Sequence, residues 1–287
     1  MHEYVILTDS SADLSKELLA SLDVSVLSLE VIMDNGTPLR NDEINVTEFY
    51  AKLREKTQVS TSAASIERFI DFMEPFLADG KDVLYLGFSS GLSGTYNAGF
   101  VAAQELAEKY PDRKIMTVDT LCASLGQGLL VWHCAKLRKE GKTLEEVHAW
   151  AEENKLHLCH WFTVDDLFFL KRGGRVSAAT AVLGTMMSIK PVMHVDKKGQ
   201  LVNVMKARGR KAAVNALFEK TKETVMLPEK QTAFICHGDC AEDAEYLAQR
   251  LKKELGFPEV IIDYTGPVIG AHSGPGTLAV FYLGTER

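Results

Sequence analysis

Apolar and polar positions along the chain follow two rhythms. Short, nearly unbroken apolar runs have the length and residue types of buried parallel strands. They are Tyr4-Val5-Ile6-Leu7-Thr8, Val24 to Met33, Asp82-Val83-Leu84-Tyr85-Leu86-Gly87-Phe88 and Lys114 to Asp119. Between them apolar residues recur at helical spacing: Leu14 to Leu22, Val46 to Lys56 (Phe49, Tyr50 and Leu53 on one face), Ile66 to Leu77 and Tyr96 to Ala107. Thr120 to Gly128 leads into a further long, largely apolar helix ending near Gly141. Asp9-Ser10-Ser11-Ala12-Asp13 is expected to cap the Leu14 helix, and Asp34-Asn35-Gly36 marks a hairpin turn. Strands alternating with helices predict an α/β unit over residues 1–155, with a parallel, doubly wound sheet. The helix Thr143 to Lys155 is the bridge out of it.

The rhythm then changes. Leu158 to Val164 predicts a strand, and Asp165 to Lys171 a short helix ending at Arg172-Gly173-Gly174-Arg175, with glycine where a left-handed cap is wanted. Ser177 to Met187 predicts a compact helix. Ile189 to Val195 and Leu201 to Lys206 flank Asp196-Lys197-Lys198-Gly199-Gln200 as an antiparallel hairpin. A helix Gly209 to Glu223, a strand through His237, a helix Ala241 to Leu255, a strand Val260 to Tyr264 and a last apolar segment to Gly284 complete the unit. Residues 156–287 are therefore expected to form a second domain, a mixed α/β sheet.

Composition excludes several function classes. The 287 residues are 46% hydrophobic and 25% charged with a net charge of −7, so no strong field attracts nucleic acid, and no apolar run is long enough to span a bilayer. The N-terminus enters a strand within a few residues, without the charged and apolar regions of a secretory signal, which points to the cytoplasm. Five scattered cysteines contain no CxxC pair. Cys236-His237-Gly238-Asp239-Cys240 lacks a second matching pair for a tetrahedral metal site, so buried, reduced thiols are expected.

Candidate chemistry collects in loops. Ser89-Ser90-Gly91-Leu92-Ser93-Gly94-Thr95 lies between a strand and a helix, where unpaired backbone N–H groups and the helix dipole favour an anion. An ordinary helix cap is the competing interpretation. Gln58 to Ser65 is a second hydroxyl-rich loop at a helix start. Lys171-Arg172-Gly173-Gly174-Arg175 places cations at a helix C-terminus, where they stabilise the dipole or reach a carboxylate or phosphate. Gly270-Ala271-His272-Ser273-Gly274-Pro275-Gly276 predicts a tight irregular loop projecting a histidine and a serine. Gly91 to Thr95 is not a complete GxSxG, since Thr95 stands where glycine is needed, and no Walker lysine follows its glycines. A serine hydrolase or acyltransferase using Ser93 and His272 remains the alternative from another class.

Together these motifs resemble the DegV family. The resemblance rests on Thr8-Asp9-Ser10-Ser11, Ser60-Thr61-Ser62, Ser89 to Asn97, Phe169 to Arg175, Ile189-Lys190-Pro191 and Gly270 to Gly276, in this order and nearly end to end. Ala63-Ala64 replaces the Gln-Pro common in the family, which changes loop stiffness and leaves Thr61 in place. The resemblance implies two α/β domains with a long-chain fatty acid between them as ligand, no further cofactor, no metal and no catalysis by this chain. It implies a carboxylate held by Thr61, Ser93, Arg172 and His272, supported by Ser62, Gly94, Thr95 and Ser273. It also implies a partner, an ATP-dependent fatty acid kinase that converts the bound acid to an acyl phosphate and docks at Arg208. No transmembrane segment is implied; transient membrane contact is left open. Leu183, Met186, Met187, Ile189 and Met193 are candidates for an acyl-chain wall, with core packing as the competing interpretation.

Overall fold

A computed structural model describes residues 3–34, 36–177, 189–285 and 287. The expected helix Ser177 to Met187, with Leu183, Met186 and Met187, falls on residues 178–188 for all but its first position, outside the described residues.

The first sheet is parallel throughout, in the order β2-β1-β6-β7. Its strands are β1 (Tyr4–Asp9), β2 (Val24–Leu27), β6 (Asp82–Gly87) and β7 (Ile115–Asp119). β6 is buried at every residue because helices cover both faces. Leu7, Val83 and Tyr85 point to one side, towards α3 (Ile66–Ala78) and α4 (Thr95–Lys109). Ile6, Leu84 and Leu86 point to the other, towards α5 (Leu125–Lys139) and α6 (Leu144–Asn154). Each such side chain contributes about 1.5–3 kcal/mol on burial. Thr143 and Glu146 form a reciprocal capping box at the start of α6.

Three sequence expectations are corrected here. Asp9 to Asp13 caps no helix at Leu14; Asp9 accepts from Ser11 N–H and opens a 3₁₀ turn, and α1 (Lys16–Leu22) is capped by Ser15. Val24 to Met33 is not one strand but two, because β3 (Glu30–Met33) leaves the parallel sheet. It pairs antiparallel with β4 (Leu39–Arg40) and β5 (Val59–Ser62) in a separate small sheet. The hydroxyl-rich stretch after Gln58 is thus largely a strand, and α2 (Val46–Arg54) precedes it with Phe49, Tyr50 and Leu53 buried as expected.

The larger sheet is mixed, in the order β10-β9-β8-β13-β11-β12. It uses β8 (Leu158–Thr163), β9 (Ile189–Val195), β10 (Leu201–Arg208), β11 (Thr232–His237), β12 (Glu259–Tyr264) and β13 (Leu278–Leu283). The short helix α7 (Leu167–Arg172) leads away from β8. Alternation along the strands divides its two faces. Cys159, Ala233, Ile235, Val280 and Tyr282 pack against α8 (Arg210–Thr224) and α9 (Ala241–Arg250). Phe162, Phe234, Cys236, Ala279 and Phe281 share a core with Leu125, Leu129, Leu130 and Ala135 of α5. Helix α5 is therefore a common layer between the parallel and the mixed sheets. The expected loop at Gly270 is also corrected: Pro267, at a first helical position, opens α10 (Pro267–Ser273), so His272 and Ser273 stand on the last turn of a helix.

Candidate functional site

Helix α10 is held at its start by Tyr50, whose hydroxyl donates to the Thr265 carbonyl at 2.8 Å, and by Asn41, which accepts from Val268 N–H at 3.0 Å. This fixes its last turn beside β5, where His272 Nε2 and Thr61 Oγ1 share a hydrogen bond of 2.7 Å. His272 Nδ1 faces Gly173, at the end of α7. A Cβ on Gly173 would lie 2.3 Å from that nitrogen, so the ring fits only because the residue is glycine. Burial, reinforced by the charges of Arg175 and Arg172, pushes the His272 imidazole down to about 4, so it is neutral near pH 7.

The two arginines of the Arg172-Gly173-Gly174-Arg175 turn separate. Arg175 N–H bonds to the Leu170 carbonyl at 3.0 Å and Gly174 N–H to the Lys171 carbonyl at 2.9 Å, with Gly174 at φ 75°. This is a Schellman closure of α7, and it swings Arg175 back towards the body of the protein. Arg175 is half-buried and its Nε donates to the Leu92 carbonyl at 3.2 Å. Burial lowers its pKa. Arg172 is exposed, lies 5.0 Å from the centre of the Phe169 ring, and donates weakly to the Ala271 carbonyl at 3.4 Å.

These side chains surround the mouth of an internal cavity of about 250 Å³. Thr61, Arg175 and His272 line both this cavity and an outer groove of about 1000 Å³, whereas Arg172 lines the groove alone. Ser62, Ser93, Gly94, Thr95 and Ser273 line the cavity. Ser93 Oγ accepts from Thr95 N–H at 3.2 Å and lies 2.9 Å from Thr95 Oγ1, at the start of α4. Ser273 Oγ is buried with no hydrogen-bond partner among the described residues. Ser62 donates to Glu30 at 3.2 Å, and Glu30 pairs with Arg68. Elsewhere the wall is mainly apolar, with Leu29, Phe88, Leu92, Phe162, Leu170 and Val268. Met193 is core, packed in the cluster that contains Phe162 and α5.

The structure thus brings Thr61, Ser93, His272 and Ser273 to one cavity. It sets Arg172 outside and supplies Arg175, which the sequence pattern left unassigned. The signal for Arg175 is its place directly after the left-handed glycine of a Schellman turn. Ser89, the first hydroxyl of its loop, is no ligand group: it is fully buried and donates to the Gly199 carbonyl at 2.8 Å. Arg208 is exposed at the end of β10, opposite Ile189. Arg210, the first residue of α8, is fixed by Asp243 at 2.8 Å and Asp165 at 3.5 Å.

A neutral imidazole, one guanidinium and several hydroxyls complement a single negative charge at the mouth of an apolar cavity. The same geometry offers little to a serine nucleophile. His272 bonds to Thr61 and Ser93 to Thr95, and the ring's other nitrogen meets the Gly173 backbone, where a triad needs an acid. All five cysteines are free, and no metal-binding cluster occurs among the described residues.

Residues 3–285 match the model of the family described as "Uncharacterised protein, DegV family". The chain belongs to the DegV family. A DegV domain-containing protein of Clostridium perfringens is 48% identical over 100% of this chain and 99% of its own. The DegV domain-containing protein YteA of Lactococcus lactis is 36% identical over 98% and 97%. Among solved structures, a DegV family protein from Thermus thermophilus, described by its fatty acid binding, superimposes with a TM-score of 0.87 at 33% identity, covering 99% of this chain and 100% of that one. Bacillus subtilis DegV, described as a fatty acid binding protein, gives a TM-score of 0.85 at 27% identity, over 99% and 100%. These DegV structures match the mixed α/β architecture with its parallel sheet and separate mixed sheet. No helix among the described residues is long and apolar enough to cross a membrane.

Proposed function

We propose that this chain binds a long-chain fatty acid in the cavity and presents its carboxylate to a partner fatty acid kinase for conversion to an acyl phosphate. The observation that carries the proposal is the polar mouth of an otherwise mainly apolar cavity: Thr61, His272 and Arg175 face both the interior and the outer groove. A carboxylate there would pair with Arg175 and take hydrogen bonds from Thr61, Ser93 and Ser273, while its alkyl chain lies away from water. Fatty acid binding by the related proteins from Thermus and Bacillus supports the assignment. In this account residues 1–155 and 156–287 act as two units with the ligand between them. The groove then serves as the approach by which an external phosphoryl donor reaches the carboxylate, with Arg172 at its wall. Arg208, exposed on a sheet edge, is the docking residue, and this chain is a carrier without catalysis, metal or further cofactor, working in the cytoplasm.

Two measurements test it. Purified, delipidated protein should bind octadecanoic acid saturably, and binding should fall when Thr61 and Ser93 are both changed to alanine. Purified kinase and ATP should convert the bound acid to acyl phosphate. Failure of the first removes the ligand assignment; success of the first with failure of the second removes the kinase.

A further inference from the structure

An ionic cluster braces the mouth from outside it. Lys190, in the Ile189-Lys190-Pro191 motif on β9, grips Asp165 twice: its Nζ donates to the Asp165 carbonyl at 3.1 Å and pairs with the carboxylate at 2.9 Å. Arg210 lies 3.5 Å from the same carboxylate, pairs with Asp243 at 2.8 Å and donates to the Gly276 carbonyl at 2.6 Å. The Lys190 and Arg210 side chains are only 20% and 22% exposed, and cations are seldom covered so far unless paired. Asp165 stands in the groove wall, whereas Lys190 and Arg210 line neither the groove nor the cavity.

What the cluster holds is α7. Asp166 caps this helix by accepting from Phe168 N–H at 2.8 Å, so fixing Asp165 fixes its first turn. Asp165, Phe169 and Gly173 follow at four-residue spacing, on one side of the helix and its two flanks. Each meets the segment that carries His272. Asp165 Oδ2 would lie 2.2 Å from a Cβ on Gly276, a Phe169 ring carbon 2.6 Å from one on Gly274, and His272 Nδ1 2.3 Å from one on Gly173. Gly274 and Gly276 both stand at φ 78°, where glycine is favoured. The two segments therefore run antiparallel and interlock at three points. Gly173 and His272 form one end of the interlock, and the ionic cluster holds the other.

We propose that Lys190 and Arg210 are positioning residues for the fatty acid carboxylate. Through Asp165 and the Gly276 carbonyl they fix the start of α7 and the turn after α10 against each other. An α7 released at that end carries Gly173 away from His272 and Arg175 away from the mouth, while every group that touches the ligand is chemically unchanged. Binding groups must be held within about 0.5 Å of their working geometry, so such a shift is felt as lost affinity. This rests on the fatty acid assignment above and adds to it two residues outside the site.

The test uses the delipidated full-length protein and its Lys190→Met, Lys190→Arg, Arg210→Met and Asp165→Asn variants. Calorimetric titration reads octadecanoic acid affinity, transfer to excess albumin reads its release, and NMR spectra without ligand read the His272 ring resonance. Lys190→Met and Arg210→Met should each weaken binding about fivefold or more, quicken release and shift the His272 resonance. Lys190→Arg, which keeps the cation, should restore most of the affinity and the wild-type resonance. Adding Asp165→Asn to Lys190→Met should cost little more, because both changes remove one contact. Wild-type affinity and resonance in folded Lys190→Met or Arg210→Met overturn the inference. So does a loss of affinity with the His272 resonance unmoved, which marks a merely structural role. If Lys190→Met does not fold, as judged by circular dichroism, Arg210→Met and Asp165→Asn decide by the same readouts. A wild type that takes up no octadecanoic acid overturns the fatty acid assignment, and the His272 resonance of the variants then decides whether the cluster positions the mouth.

Discussion

Arg175 and Arg172 differ by three positions in sequence, and their places relative to the cavity predict unequal functions. Arg175 is half-buried at the cavity mouth, and it donates to neutral groups, the carbonyls of Leu92 and Gly173. No carboxylate of the described residues forms an ion pair with it, so a ligand carboxylate would be its counter-charge. A charge-assisted hydrogen bond of this kind is worth about 1.5–3 kcal/mol, so Arg175→Ala should weaken fatty acid binding by about 10- to 150-fold. Arg175→Lys should recover part of the loss, since a point charge remains but the planar fork does not. Arg172 is exposed, rests on Phe169 and lies outside the cavity, so a solvent-screened contribution of about 0–1 kcal/mol is expected. Arg172→Ala should therefore cost about fivefold or less. The assay is equilibrium titration of octadecanoic acid into each delipidated variant, with circular dichroism confirming the fold. Unchanged affinity in folded Arg175→Ala, or a larger loss in Arg172→Ala, would refute the reasoning and return the charge to Arg172.

Further outcomes follow from the same geometry. Gly173→Ala should displace His272, break its bond to Thr61 and weaken binding about tenfold or more, visible as a shifted His272 ring resonance in NMR spectra of the variant. Asp13 is buried, and burial raises its carboxyl pKa to about 8. Its folded pKa exceeds the unfolded one, so its contribution to stability is full below about 4 and is lost as pH rises to about 8. Asp13→Asn should flatten the fall in Tm across that window, and an equally steep fall in the variant would remove Asp13 as its cause. Arg208→Ala should spare fatty acid binding and impair phosphorylation by the kinase; normal turnover would exclude Arg208 as the docking residue.

The fold was legible where one local signal dominated. The apolar run at Asp82 and the Thr143–Glu146 capping box appear as the strand and helix their residues require. Val24 to Met33 failed because Leu27-Ser28-Leu29 stays buried while the chain passes from one sheet to another, and apolar pattern cannot register a change of sheet. Gly270 to Gly276 failed for the opposite reason. Its small residues predict a loop, but tertiary packing uses them: Gly270 lets α10 approach Tyr50, whose hydroxyl would lie 2.6 Å from an added Cβ. Within the candidate site, residue chemistry singled out the segments that hold Thr61, Ser93 and His272, and the family resemblance named these three within them. Arg175 could not be separated from Arg172, because both flank the same glycines and only the Schellman turn decides which one reaches the cavity.

The central claim is that this chain carries a fatty acid. The direct measurement is mass spectrometry of the organic extract of protein purified through aqueous chromatography and then denatured. A long-chain fatty acid approaching one equivalent per chain is expected, greatly reduced in Arg175→Ala. Extracts free of fatty acid from a folded protein that also fails to take up added fatty acid would contradict it.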